Sequence, residues 1–320
     1  MKISFKFRAL LIGMICLQVF VADGQVTAGK RDTWKPKSSV IDPARLLTDI
    51  ETLSADDMAG RSPTQPAMQK ARDYVARRFR ESDLTPFGDS FAQEFTFQNR
   101  ARTETFTGVN YIGFIKGKKF ADKYIIITAH YDHVGIQNNQ IFNGADDDAS
   151  GTAALFAFAK AFKKDRPDHS LIFVAFDAEE QGLRGSRHFV ANLPVPKETV
   201  LLNVNMDMIS RNVKNVLYAS GGFHYAHVVP PLNQAQKKAK VKLLLGHDDP
   251  KLGKDDWTNQ SDHGSFHAAK IPFVYFGVED HPDYHKPTDD FANIMPEFYV
   301  RAVETIFTAI KLFDKNLTAK

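Results

Sequence analysis

The sequence predicts an α/β fold of three layers, α/β/α, built on a mostly parallel mixed sheet. Short apolar runs of strand length alternate with helical patterns, and that alternation requires crossovers covering both faces of a sheet. Several runs also end in acids or histidines, as expected where a ligand site gathers at the carboxyl ends of strands. The composition agrees, since 43% hydrophobic residues over 320 positions suffice for one large core.

A segment rich in Lys, Thr and Ser, 25–43, reads as a linker into helical patterns over Ala44–Leu53 and Pro66–Phe79, which Gly60-Arg61-Ser62-Pro63 joins. Strands are expected over 91–97, 109–115, 124–129, 170–176, 200–206 and 272–276. Thr152–Phe162 reads as an apolar helix and Pro296–Phe313 as a closing amphipathic one. There are no repeats or low-complexity tracts, and 44–320 is expected to be one domain without an inserted lid.

The run Asp177-Ala178-Glu179-Glu180-Gln181-Gly182 places two adjacent carboxylates after the apolar strand Leu171–Phe176. By itself a Glu pair there also suits a solvated helix start, because acids favour a first turn. Four further clusters weigh against that. Thr128-Ala129-His130-Tyr131-Asp132-His133 offers an imidazole with a carboxylate two residues on, which can fix its tautomer. Asn143-Gly144-Ala145-Asp146-Asp147-Asp148 puts three acids before an apolar helix, where Asp148 or Ser150 could equally act as a cap. Asp207 interrupts an otherwise apolar run and needs a partner if buried. Asp283-Tyr284-His285 follows the apolar run Ile271–Val278. Crowded carboxylates repel one another, so clustering them at one end of a sheet makes sense where cations offset the repulsion. One His, one Asp, one Glu, one Asp and one His, taken one from each cluster, suit two metal ions sharing a carboxylate, and nitrogen and oxygen ligands without thiolate favour zinc, with manganese or cobalt as alternatives.

These motifs resemble the co-catalytic zinc aminopeptidases, a superfamily that includes glutamate carboxypeptidase II, the transferrin receptor ectodomain and the glutaminyl cyclases. The resemblance covers Gly108–Asp290 and implies a fold of the zinc-exopeptidase (phosphorylase/hydrolase-like) type. It implies that His130 and Asp207 hold one Zn2+ and Glu180 and His285 a second, with Asp147 bridging. Glu179 is then the general base, Asp132 the acid behind His130, and the Asp147–Asp148 bond a cis peptide. Tyr284 stands where some relatives place a phenol that stabilises an oxyanion, although a tyrosine beside a loop often only packs its ring. Asp262 and His263 are expected to anchor their loop, His133 to line the pocket or begin a turn, and Trp257 and Phe266 to be candidate pocket walls.

Lys2, Lys6 and Arg8 precede an apolar stretch, Ala9–Ala22, of 14 residues, too short to span a bilayer and patterned as a secretory signal peptide over 1–24. Ala22-Asp23-Gly24 supplies small residues before a cut at Gln25, an uncleaved anchor being the alternative. The sole cysteine, Cys16, lies inside this stretch without the small residue expected before a lipidated cysteine. Secretion or residence in a bacterial periplasm follows as the expectation, without disulfides. The formal charge is +3, of which the leader carries a net +2 from Lys2, Lys6 and Arg8 against Asp23. No basic stripe with interleaved aromatics suggests nucleic acid.

The implied partners are peptide substrates, and the implied activity is removal of N-terminal residues. A glutaminyl cyclase, which uses one zinc, is an alternative on the same fold, as is a carboxypeptidase acting on dipeptides. The latter needs a basic clamp, and the sequence does not choose among Arg184, Arg187 and Arg211. A non-catalytic binding domain is the third alternative, disfavoured because neither a ligand nor the base is missing.

Overall fold

The computed structural model describes residues 37–99 and 102–317, and the proposed leader with most of the linker lies outside them. The chain opens with α1, Pro43–Leu53, whose N-terminus Asp42 caps by accepting the Arg45 amide, and α2, Met68–Glu81. Ten strands follow among the described residues. They are β1 Ala92–Gln98, β2 Thr105–Ile115, β3 Phe120–His130, the small hairpin β4 Gly135–Gln137 and β5 Gln140–Phe142, β6 His169–Phe176, β7 Val200–Met206, β8 Val216–Ser220, β9 Lys242–Leu245 and β10 Phe273–Gly277. Helices α3 Gly151–Lys164, α4 Arg184–Ala191, α5 Val229–Lys238, α6 His263–Ala268 and α7 Pro296–Asn316 complete the layers.

Eight strands form one mixed sheet in the order β1-β2-β6-β3-β7-β10-β8-β9. Its centre, β6-β3-β7-β10, is wholly parallel. β2 joins antiparallel to β6, and β8 antiparallel to β10. The parallel strands are buried on both faces, which is why they read as unbroken apolar runs: every residue of β6 is buried. Helix α3 packs on one face through Phe156, Phe158 and Phe162, and Phe162 meets Phe307 of α7 with ring centroids 4.7 Å apart. On the opposite face Phe176, Phe189 and Phe266 join a core cluster with Ile126 and Ile172.

The expected strands all form, with ends displaced by a few residues. β8 and β9 and the hairpin were not anticipated, because segments of three to five residues carry too little periodicity to stand out. Phe266 also departs from expectation. It is fully buried between Phe176 and Phe189 and belongs to the core, not to a pocket wall.

The β6-to-α4 turn brings backbone into close approach at Gly185. A Cβ on Gly185 would overlap the Asp177 carbonyl oxygen and the Asn110 side chain, and backbone cannot yield as a side-chain tip can. Gly185→Ala should therefore destabilise the domain by about 1–3 kcal/mol through overpacking, read as a lowered denaturant midpoint at unchanged slope.

Candidate metal centre

The parallel topology sets His130, Glu179 with Glu180, and Asp207 side by side, because β6, β3 and β7 are adjacent and in register and these residues end or follow them. Asp147 arrives from a π turn, Ala145–Ser150, that leads into α3, and His285 from the loop after β10. The bond between Asp147 and Asp148 is cis.

His130 Nε2 lies 3.3 Å from Asp147 Oδ1 and 3.6 Å from Asp207 Oδ2. His285 Nε2 lies 3.0 Å from Asp147 Oδ2 and 3.1 Å from Glu180 Oε1. Two clusters thus share Asp147, one oxygen directed to each. His133 joins the second cluster, with Nδ1 3.0 Å from Glu180 Oε1 and 3.7 Å from Asp147 Oδ2. Sequence reasoning left His133 between pocket and turn. It lies just past the end of β3, which runs parallel beside β6, the strand that Glu180 follows, and the signal was its place two residues after Tyr131 in a segment otherwise buried.

Among the described residues, His130 Nε2 and both ring nitrogens of His133 are buried without hydrogen-bond geometry to any partner. Ring nitrogens so close to carboxylates yet not in hydrogen-bond geometry with them converge on common space. That donor set fits divalent cations of the zinc type: imidazole and carboxylate, converging, desolvated.

Asp132 stands behind His130, with Oδ1 3.6 Å and its backbone oxygen 3.1 Å from Nδ1. Its carboxylate also accepts the amides of Glu179 at 3.0 Å and Glu180 at 3.3 Å, so one residue orients an imidazole through its backbone oxygen and both glutamates through its side chain. Asp148, although adjacent to Asp147, accepts the amides of Gly151, His130 and Met208 and is thereby committed to the scaffold. His263 is buried, its Nε2 2.8 Å from the Trp257 carbonyl, and burial lowers its pKa to about 3, so it anchors the loop as a neutral ring.

Burial raises carboxylate pKa values generally, yet Asp147 is held well below the usual range because His133, His130 and His285 surround it. Glu180 is lowered to about 2 against both burial and Asp147, by the imidazoles of His133 and His285 that face it. Burial opposes the charged imidazole of His285, but Asp147 and Glu180 raise it to about 10. Glu179 goes the other way: burial, with Asp262 and Glu180 adding, puts its carboxyl well above the ordinary value.

The cleft over these groups has a volume of about 340 Å³ and is bounded by His130, Glu179, Arg187, Trp257, Tyr275 and Tyr284, among others. Tyr284 stacks on His285 with centroids 4.1 Å apart. Tyr275 donates to the Asp207 carbonyl at 3.1 Å and was not singled out from the sequence, since its ring sits in the apolar β10 pattern.

The peptidase family M28 model matches residues 110–310, which spans every residue of both clusters. The chain belongs to peptidase family M28. Within the family, it is 30% identical over 252 residues to aminopeptidase YwaD of Bacillus subtilis, an alignment covering 73% of this chain and 52% of that protein. A glutamate carboxypeptidase 2 homolog of Caenorhabditis briggsae is 36% identical over 226 residues, 64% of this chain and 27% of the relative. The chain spans about half or less of the length of these curated relatives. The fold matches a zinc aminopeptidase from Bacillus subtilis with a TM-score of 0.70 at 19% identity, over 88% of this chain and 98% of the other. It matches a glutaminyl cyclase from Fimbriiglobus ruber with a TM-score of 0.67 at 19% identity, over 87% of this chain and 97% of the other.

Metal loading of this M28 domain is expected to release protons. A His285 raised to about 10 is charged at neutral pH and must become neutral to ligate. Affinity should then rise with pH by about tenfold per unit for each proton displaced, up to that pKa. Titration calorimetry of the metal-free protein in buffers of different ionisation enthalpy would count the protons.

Proposed function

We propose that the chain is an exported aminopeptidase working with two zinc ions. His130 and Asp207 hold one ion, Glu180 and His285 the other, with His133 beside the second and Asp147 between them. The observation that carries this reading is the shared Asp147 with one oxygen toward each cluster, next to a glutamate, Glu179, whose carboxyl makes no ion pair with the cluster's imidazoles. Export rests on the basic and apolar leader of 1–24, outside the described residues, and hydrolysis of N-terminal residues rests on the kinship to YwaD.

Divalent ions bound here supply Lewis acidity, polarising the peptide carbonyl and acidifying a water. The remaining work falls to side chains. Asp132 fixes Glu179 by its amide, leaving the carboxyl to face the cleft. Burial and neighbouring acids raise that carboxyl, so it can accept the water's proton and keep it until the leaving amine takes it. Tyr284 lines the cleft and remains protonated because burial and the nearby Asp147 raise its phenol, which supports a role as donor to an oxyanion.

Glu179→Gln should bind the same metal complement as the unaltered chain and lose several orders of magnitude in kcat; full activity with metals intact would end the assignment. Tyr284→Phe should lower kcat by about 10²–10³ if the phenol meets the developing charge, with little change in metal content. The function itself is tested on purified protein by metal analysis alongside release of amino acids from paired peptides. Two zincs per chain with cleavage restricted to unblocked N-termini is the expected result. One zinc with cyclisation of N-terminal glutamine would replace the aminopeptidase by a cyclase.

A further inference from the structure

Beside the metal cleft lies a second depression, of about 550 Å³, between β1, β2 and α4. Its floor is aromatic: Phe95 and Phe97 have centroids 6.0 Å apart, and His188 stacks on Phe95 at 5.2 Å. Its walls carry the guanidinium groups of Arg102, Arg184 and Arg187, and no carboxylate lines it among the described residues. Three cations facing an apolar floor without a counter-charge form a surface that lowers the energy of an anion with an apolar stem.

Arg187 belongs to both depressions, lining the metal cleft and the trough alike. It is exposed and forms no ion pair with any described residue, whereas Arg211 is paired with Asp283 and Arg184 gives its Nε to the Gln181 carbonyl at 3.0 Å. Of the three arginines that the sequence left undecided, Arg187 is therefore the one whose charge is free to meet a ligand from the cleft.

The cleft's polarity gives a substrate its direction. Arg187 follows β6, while Tyr275, Asp280 and Tyr284 belong to or follow β10, and β6 and β10 bound the parallel centre of the sheet on opposite sides. A peptide's ammonium group is repelled from the Arg187 side and drawn toward the metal-site carboxylates and Asp280. Its carboxylate is drawn the opposite way.

Resting on the aminopeptidase reading above, we propose that the trough is a subsite for peptide carboxylates, with Arg187 as its entry and Arg184 and Arg102 as further acceptors. Short peptides are held with the N-terminus at the metals and a carboxylate, either the C-terminus or an acidic side chain beyond the scissile bond, on these arginines. The aromatic floor takes the intervening apolar side chains.

The test compares tripeptides identical but for charge: Leu-Ala-Gln as free acid, Leu-Ala-Gln amide, and Leu-Ala-Glu amide. The first against the second isolates the C-terminal carboxylate, and the third against the second isolates an acidic side chain. The unaltered protein should prefer one or both acids by about tenfold or more in kcat/KM, carried by KM, and the preference should weaken with added salt. Arg187→Glu should abolish or invert the preference, and Arg187→Lys should restore part of it. A preference that is absent from the unaltered protein, or that survives Arg187→Glu, overturns the proposal whatever the absolute rate. Binding of the same peptides, labelled with a fluorophore on the third residue, to the Glu179→Gln protein separates the two readings. Charge-selective binding lost in Glu179→Gln/Arg187→Glu, without hydrolysis by the unaltered protein, would sink the aminopeptidase and keep the subsite; hydrolysis without charge selectivity would do the reverse.

Discussion

Mutual repulsion among buried carboxylates is the constraint that the rest of this molecule is organised to satisfy. Asp132, Asp146, Asp147, Asp148, Asp177, Asp207, Asp262, Asp289 and Glu180 are all buried, most of them around the carboxyl ends of three neighbouring strands. Such a concentration is untenable in a low-dielectric interior without cations. One permanent cation is built in. Arg61, with no exposed surface, donates Nε to the Tyr131 carbonyl at 2.8 Å, Nη1 to those of Leu53 and Asn143 at 2.7 and 2.5 Å, and Nη2 to that of Gly144 at 2.8 Å. It ties the loop before α2, the end of β3 and the approach to Asp147 into one unit while its charge faces Asp147, Asp289, Asp132 and Asp148. Burial depresses its pKa, but a guanidinium stays protonated there as lysine would not.

Backbone amides then divide the acids into those that build and those that bind. Asp289 accepts the amides of Asp146 and Asp147, Asp146 accepts that of Ser210, Asp148 accepts three amides, and Asp132 accepts two. Asp177 accepts the Val109 amide and pairs with Arg72 at 2.9 Å. Each is a carboxylate whose charge is already compensated by dipoles or a cation. Asp147 and Asp207 lack amide partners on their carboxylate oxygens among the bonds described, and imidazoles are what face them, as they also face Glu180. Hydrogen bonding thus chooses Asp147 over its neighbours Asp146 and Asp148, a choice that three identical residues in a row could not express.

That distinction marks how far the sequence could be read. Strand ends were legible because a strand buried on both faces is apolar throughout, so the acids and histidines after β3, β6, β7 and β10 stood out sharply. Their meeting in one place followed from topology, and the pairing of ligands from the resemblance to a known family. What stayed hidden depends on non-local geometry. His133 becomes a neighbour of Glu180 through the pairing of β3 with β6, strands separated by a whole helix; Arg61 reads as an ordinary loop arginine until four backbone carbonyls converge on it; Asp289 lies 142 residues from the amide of Asp147 that it accepts. β8 and β9 are held by pairing with β10 and with each other, not by any strong propensity of their own.

The same electrostatics links metal loading to stability. The chain's one cysteine is Cys16, so the domain over 37–317 can draw on no disulfide. Without cations the clusters hold together by keeping imidazoles charged, as the raised His130 and His285 show, which substitutes protons for metals at a cost in desolvation. Ions that bind the folded site and not the unfolded chain stabilise it by RT ln(1 + [L]/Kd), about 4 kcal/mol at a thousandfold excess over Kd. The proposed ligands come from the ends of β3, β6 and β7, the turn before α3 and the loop after β10, so that energy would be spread across the parallel centre of the sheet instead of one loop. Fold and site are consequently one equilibrium. The strands place the carboxylates, and the cations the carboxylates demand hold the strand ends together.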